Sequence, residues 1–63
     1  MNKALKLKII QVYGTQADFA QRIGLNDSIV SRIIRGRRRL GPVDQKKWAD
    51  VLGCIPDEIF GQD

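Results

Sequence analysis

One stretch of 22 residues, from Thr15 to Gly36, constrains the fold of this chain more than any other. Thr15 and Asp18 have the spacing of a capping box, which marks the start of a helix. Apolar residues then recur at helical spacing until Gly24, a residue type that ends helices in the left-handed conformation. Asn26 is a typical N-cap for a second helix, which Gly36 closes. The stretch therefore predicts two short helices joined by a tight turn.

Each of these helices has one apolar face. The predicted core positions are Phe19, Ala20 and Ile23 in the first helix, and Val30, Ile33 and Ile34 in the second. Ala20 lies in the middle of its helix, where a larger side chain would push the two helices apart. Two helices of about two turns with a Gly-containing turn predict a helix-turn-helix over about residues 16–36. Its second helix is expected at about residues 27–35.

The chain before this unit predicts another helix, from about residue 2 to residue 13. Leu5, Ile9 and Tyr13 recur at i, i+4 and i+8 and are expected to face the core. This helix carries further apolar residues, which we expect to be covered by the C-terminal segment or by a second subunit; they are Leu7, Ile10 and Val12.

The chain after the unit predicts a fourth helix and a short fifth. Leu40 is expected to anchor the loop that follows Gly36. Pro42 suits the first position of a helix that extends to about residue 52, with Trp48 as the largest core residue. Pro56 is expected to begin the last helical turns. The fold class is therefore all-α, a compact single domain of four to five helices over residues 1–63.

The composition excludes several classes of function. The 63 residues include no histidine and one cysteine, Cys54, so disulfides, ordinary zinc sites and His-based catalysis have no partners within the chain. Cys54 is expected to be a small core residue. We expect no enzyme activity, no metal, no cofactor and no small-molecule ligand. The N-terminal residues contain no leader peptide or membrane span, which predicts a cytoplasmic protein with no membrane partner.

The charge is concentrated in one place. Eleven Lys and Arg residues against seven Asp and Glu residues give a formal net charge of +4. A small basic domain attracts nucleic acid or another anionic surface. Five arginines fall within eight residues that include no acid, namely Arg32, Arg35, Arg37, Arg38 and Arg39.

The helix-turn-helix stretch resembles a known family. Counted from Gln16, the positions that agree are Ala20 as the fifth, Gly24 as the ninth, Leu25 as the tenth, Val30 as the fifteenth and Ile33 as the eighteenth. This spacing resembles that of the phage repressor and Cro-like family, also called the XRE family of transcription regulators. The closing segment, LG..PDEIF, is similar to that of many members, although Ile55 stands where a polar N-cap is usual. The resemblance implies a lambda-repressor-like fold and a phage-like repressor that binds double-stranded DNA.

A helix-turn-helix places its second helix in the major groove. The candidate base-reading residues are Asp27, Ser28, Ile29, Ser31 and Arg32. Asp27 can accept a hydrogen bond from cytosine N4, and Arg32 can donate two to guanine. The resemblance implies base contacts at the same positions except Ser31. Alternatives stay open: Asp27 also stabilises a helix N-terminus, Ile29 is either a thymine contact or a partly buried residue, and the serines are also compatible with a plain surface role.

Other residues are expected to bind the DNA backbone. Gln16 lies in the first turn of its helix, where free N–H groups suit a phosphate, and the resemblance implies the same role. The remaining backbone candidates are Arg35, Arg37, Arg38 and Arg39, for which a solvated charge run is the alternative. We further expect a homodimer on DNA that forms through Ile55, Ile59 and Phe60, because this segment has surplus apolar residues.

Two other functions compete with sequence-specific DNA binding. A protein-interaction adaptor or antitoxin-like partner would use the apolar first helix and the C-terminal segment, so Arg32 would matter little. A nonspecific nucleic-acid binder would depend on the arginines alone and would respond steeply to salt but not to sequence.

Overall fold

The computed structural model describes residues 1–61, and within this range it contains helices and no strand. The five helices are α1 (Lys3–Tyr13), α2 (Gln16–Ile23), α3 (Asp27–Ile34), α4 (Pro42–Leu52) and α5 (Pro56–Phe60). The all-α fold with a central helix-turn-helix is therefore confirmed. The predicted starts of α4 and α5 at their prolines are also confirmed.

The core is closed by α1, which packs against α2 and α5 and also touches α3 and α4. Four aromatic rings cross the middle of the domain. The ring centroid of Phe19 lies 5.6 Å from that of Tyr13 and 5.1 Å from that of Trp48, which meets it edge to face. The ring centroid of Phe60 lies 6.3 Å from that of Trp48. Such tilted and edge-to-face pairs are the favourable geometries for aromatic rings, and they join α1, α2, α4 and α5.

The start of α1 depends on Asn2, a role that the sequence reasoning did not assign. Its side-chain oxygen accepts a hydrogen bond from the N–H of Leu5 at 3.0 Å, which caps the helix. Its side-chain amide donates to the carbonyl oxygen of Ile59 in α5. Its backbone N–H donates to the carbonyl oxygen of Ile34, the last residue of α3, at 2.7 Å. One residue thus joins three helices.

The surplus apolar residues of α1 are not covered by the C-terminal segment. Leu7, Ile10 and Val12 are exposed, whereas Leu5 and Ile9 are fully buried. Of the two alternatives, cover by the C-terminal segment is not found within residues 1–61, and cover by a second subunit stays a prediction.

Cys54 is half-buried and packs against the core, as expected for a small core residue. Burial raises the pKa of the thiol, and the nearby Glu58 carboxylate raises it further. Both effects disfavour the thiolate, which is the reactive form of a cysteine side chain.

Removal of the Asn2 side chain should cost more stability than removal of a simple N-cap. Asn26 caps α3 with a single hydrogen bond, from the N–H of Ile29 at 3.0 Å, and is exposed. We expect Asn26→Ala to lower the free energy of unfolding by about 1 kcal/mol. Asn2→Ala also leaves the Ile59 carbonyl oxygen without its partner and should cost about 2–3 kcal/mol. Urea denaturation of both variants checks this, and equal losses would contradict the role given to Asn2.

Candidate nucleic-acid interface

The turn between α2 and α3 satisfies its own backbone groups. Gly24 adopts the left-handed conformation at φ 76°, as predicted for the residue that ends α2. The N–H of Leu25 donates to the carbonyl oxygen of Ala20 at 2.9 Å, a closure typical of glycine-ended helices. Asn26 then caps α3. The end of α2 and the start of α3 are thus both capped.

Each helix of the unit buries the predicted face. Phe19, Ala20 and Ile23 of α2 are buried, and so are Val30, Ile33 and Ile34 of α3. Thr15 caps α2, because its Oγ1 atom accepts a hydrogen bond from the N–H of Asp18 at 3.1 Å. The core predictions for both helices are confirmed, and the opposite face of α3 is left to solvent.

The exposed face of α3 carries three of the predicted base-reading residues. Asp27, Ser28 and Arg32 are exposed, and Ser31 is half-buried. Ile29 is also half-buried and packs against the core. Of the two alternatives for Ile29, the structure therefore favours a packing residue over a thymine contact.

Gln16 and Asp27 lie side by side, although each begins a different helix. The Nε2 atom of Gln16 donates a hydrogen bond to Oδ1 of Asp27 at 3.4 Å. Sequence reasoning treated the two as independent residues. Each is the first residue of its helix, so their hydrogen bond shows that the N-termini of α2 and α3 lie at the same surface.

The arginines continue this surface beyond α3. Arg35 is the C-cap of α3, and the chain then turns at Gly36, whose φ of 79° is in the left-handed region. The arginine loop, defined as Arg37, Arg38 and Arg39, is exposed. Leu40 ends it half-buried against the core, which confirms its predicted role as the loop's apolar anchor.

Two of the three predicted dimerisation residues are not available to a second subunit. Ile59 is 2% exposed and Phe60 is 9% exposed, because both pack into the core of the monomer. Their place in the predicted dimer surface is therefore corrected. Ile55, which precedes α5, is 59% exposed.

Two short helices that are joined by a tight turn and bury their apolar faces define a helix-turn-helix domain. In this domain a cluster of arginines follows the second helix. The chain matches a family model described as helix-turn-helix over residues 5–59. The protein therefore belongs to the Cro/XRE-type helix-turn-helix family, which consists of DNA-binding transcription regulators and is not a family of enzymes. No curated protein and no solved structure gives a significant match.

Among residues 1–61, no helix is both long enough and apolar enough to span a membrane.

Substitution of Ile29 should affect stability. Because this side chain packs against the core while Ser28 beside it is exposed, Ile29→Ala should lower the free energy of unfolding by about 1–2 kcal/mol. Ser28→Ala serves as the control and should change it by less than about 0.5 kcal/mol. Thermal or urea denaturation measures both. Equal stability of the two variants would show that Ile29 is free to contact a base.

Proposed function

We propose that this protein binds double-stranded DNA in a sequence-specific manner, as a transcription regulator of the repressor or Cro type. The observation that carries the proposal is the division of α3 into two faces. One face is buried in the core, and the other presents Asp27, Ser28 and Arg32 to solvent. A helix held in this way can enter the major groove with its side chains already positioned.

Arg32 is the main base reader in this proposal. Its guanidinium can donate to O6 and N7 of one guanine, which is worth about 1–3 kcal/mol of discrimination. Ser28 lies one helical turn before it on the same exposed face and can donate to or accept from several base edges. Ser31 is half-buried and is at most a secondary contact.

The hydrogen bond between Gln16 and Asp27 leaves one carboxylate oxygen of Asp27 available to a base. The hydrogen bond from Gln16 uses Oδ1, so Oδ2 is left to accept from cytosine N4. The amide of Gln16 also partly offsets the repulsion between the Asp27 carboxylate and DNA phosphates. The second amide hydrogen of Gln16 can donate to a phosphate at the N-terminus of α2. Gln16 thus links backbone binding to base reading.

The arginines hold the domain on the DNA backbone. Arg35 and the arginine loop follow directly after α3, where the phosphates that flank the groove pass. Each phosphate neutralised in this way should contribute about −0.9 to the slope of log affinity against log salt concentration.

The protein is proposed to bind as a homodimer. Its described part measures 24 × 24 × 20 Å, which is less than the 34–36 Å of about one turn of DNA, so that one copy covers one half-site. Of the three residues predicted to form the dimer contact, Ile55 is exposed and is kept in the proposal. Exposed apolar residues of α1, such as Leu7 and Val12, are further candidates.

Removal of the Arg32 side chain should relax specificity. On a duplex that the wild-type protein selects from a random library, Arg32→Ala should lose about 1–3 kcal/mol of discrimination at one base pair. Fluorescence anisotropy with the selected duplex and its single-base variants measures the effect.

The matched control is Arg22→Ala, since Arg22 is also exposed but lies at the other end of α2 from Gln16. Arg22→Ala should keep wild-type discrimination. If Arg32→Ala keeps it as well, the proposed reading face is wrong, and the alternative of a protein-interaction adaptor gains support.

A charge introduced at Ile55 should weaken the binding of the dimer to a palindromic site and leave the binding of one copy to a half-site unchanged. Ile55→Asp should bind a single half-site like the wild type, because Ile55 is outside the proposed DNA-binding face. On a palindromic site it should bind at least about fivefold more weakly, because the coupling between the two copies is lost. Gel-shift titrations on both duplexes measure this, and a wild-type complex that stays 1:1 on the palindrome would refute the dimer.

A further inference from the structure

The arginine loop is fixed at both ends but not in its middle. At its start, the N–H of Arg37 donates to the carbonyl oxygen of Arg32 at 2.9 Å. At its end, the Nε2 atom of Gln45 in α4 donates to the carbonyl oxygen of Leu40 at 3.0 Å. Within residues 1–61, Arg38 and Arg39 have no backbone hydrogen bond of their own. Their position therefore depends on these two hydrogen bonds and on the side chain of Leu40, which packs against the core.

Gln45 is well placed to act as an anchor. It lies in the first turn of α4, where its own N–H donates to the carbonyl oxygen of Gly41 at 2.9 Å, so its backbone is rigid. Its side chain is half-buried, unlike those of the neighbouring residues 44 and 46. The bond to Leu40 thus holds the loop to a helix that belongs to the core.

The surface beside the loop leaves room for it to move. Gln45, Arg38 and Arg39 line an open cleft of about 640 Å³, together with residues that include Asn2 and Phe60. Without the hydrogen bond from Gln45, the loop has room to shift into this cleft. A contact group that is already ordered loses less conformational entropy when it binds.

We propose that Gln45 is a positioning residue, which orders Arg38 and Arg39 for contact with DNA phosphates. This inference rests on the proposed function. Gln45 itself touches no phosphate in this account and acts only through the two arginines. It is expected to influence overall affinity and its salt dependence, and to leave discrimination between base pairs unchanged.

A double-mutant cycle tests the proposal. Gln45→Met keeps the length of the side chain but removes its hydrogen-bond donor. In the otherwise wild-type protein, it should weaken binding to a mixed-sequence duplex at low salt by about threefold to tenfold. In a protein that already carries Arg38→Ala and Arg39→Ala, the same substitution should weaken binding by less than about twofold. Gln11→Met, at an exposed position of α1, is the matched control and should have no effect in either background.

The possible results separate this proposal from the proposed function. If the wild-type protein binds duplex DNA and Gln45→Met binds equally well, the positioning role is overturned while DNA binding stands. The same holds if Gln45→Met weakens binding equally in both backgrounds, because a general loss of stability does not depend on the two arginines. If the wild-type protein does not bind duplex DNA, both proposals fail. Backbone ¹⁵N relaxation of Arg38 and Arg39 in the free protein gives a second readout, and their order parameters should be lower in Gln45→Met.

Discussion

The hydrogen bonds of Asn2 are the constraint on which the rest of the structure depends. A domain of this size buries little apolar surface, so each polar connection between helices has a large share in the stability. Asn2 begins α1 with its side-chain oxygen, joins α5 through its amide and joins the end of α3 through its backbone N–H. Helices α1, α3 and α5 are thereby held in one arrangement. The aromatic rings between them fill the space that this arrangement encloses.

The same arrangement explains how the proposed DNA-binding face is formed. The start of α3 is fixed by Asn26 and its end by Asn2, so its exposed face keeps one orientation relative to the domain. Gln16 extends this face at one side, and the arginine loop extends it at the other. Base reading and backbone binding are thus connected through one rigid helix, which is the physical basis of the proposed function.

The sequence predicted those features that depend on neighbours along the chain. Capping residues, glycine stops and prolines at helix starts act locally, so α2, α4 and α5 were placed correctly. Features that depend on distant residues were missed, such as the bond of Asn2 to a residue 57 positions away. The packing of Ile59 and Phe60 on other helices was expected, but their additional assignment to the dimer surface was wrong, because apolar character does not tell whether a side chain faces its own core or a partner. The residues proposed to contact DNA bases stay predictions. A side chain must be exposed to contact a base, but its exposure does not identify which base it contacts.

The most direct test of the account is an NMR titration of isotope-labelled protein with a mixed-sequence duplex at two salt concentrations. The largest shift changes are expected at Gln16, Ser28, Arg32 and the arginine loop, with weaker binding at the higher salt concentration. Shift changes that are confined to α1 and to the segment from Ile55 to Phe60 would contradict it. That result would mean that the protein uses its helix-turn-helix fold to bind another protein.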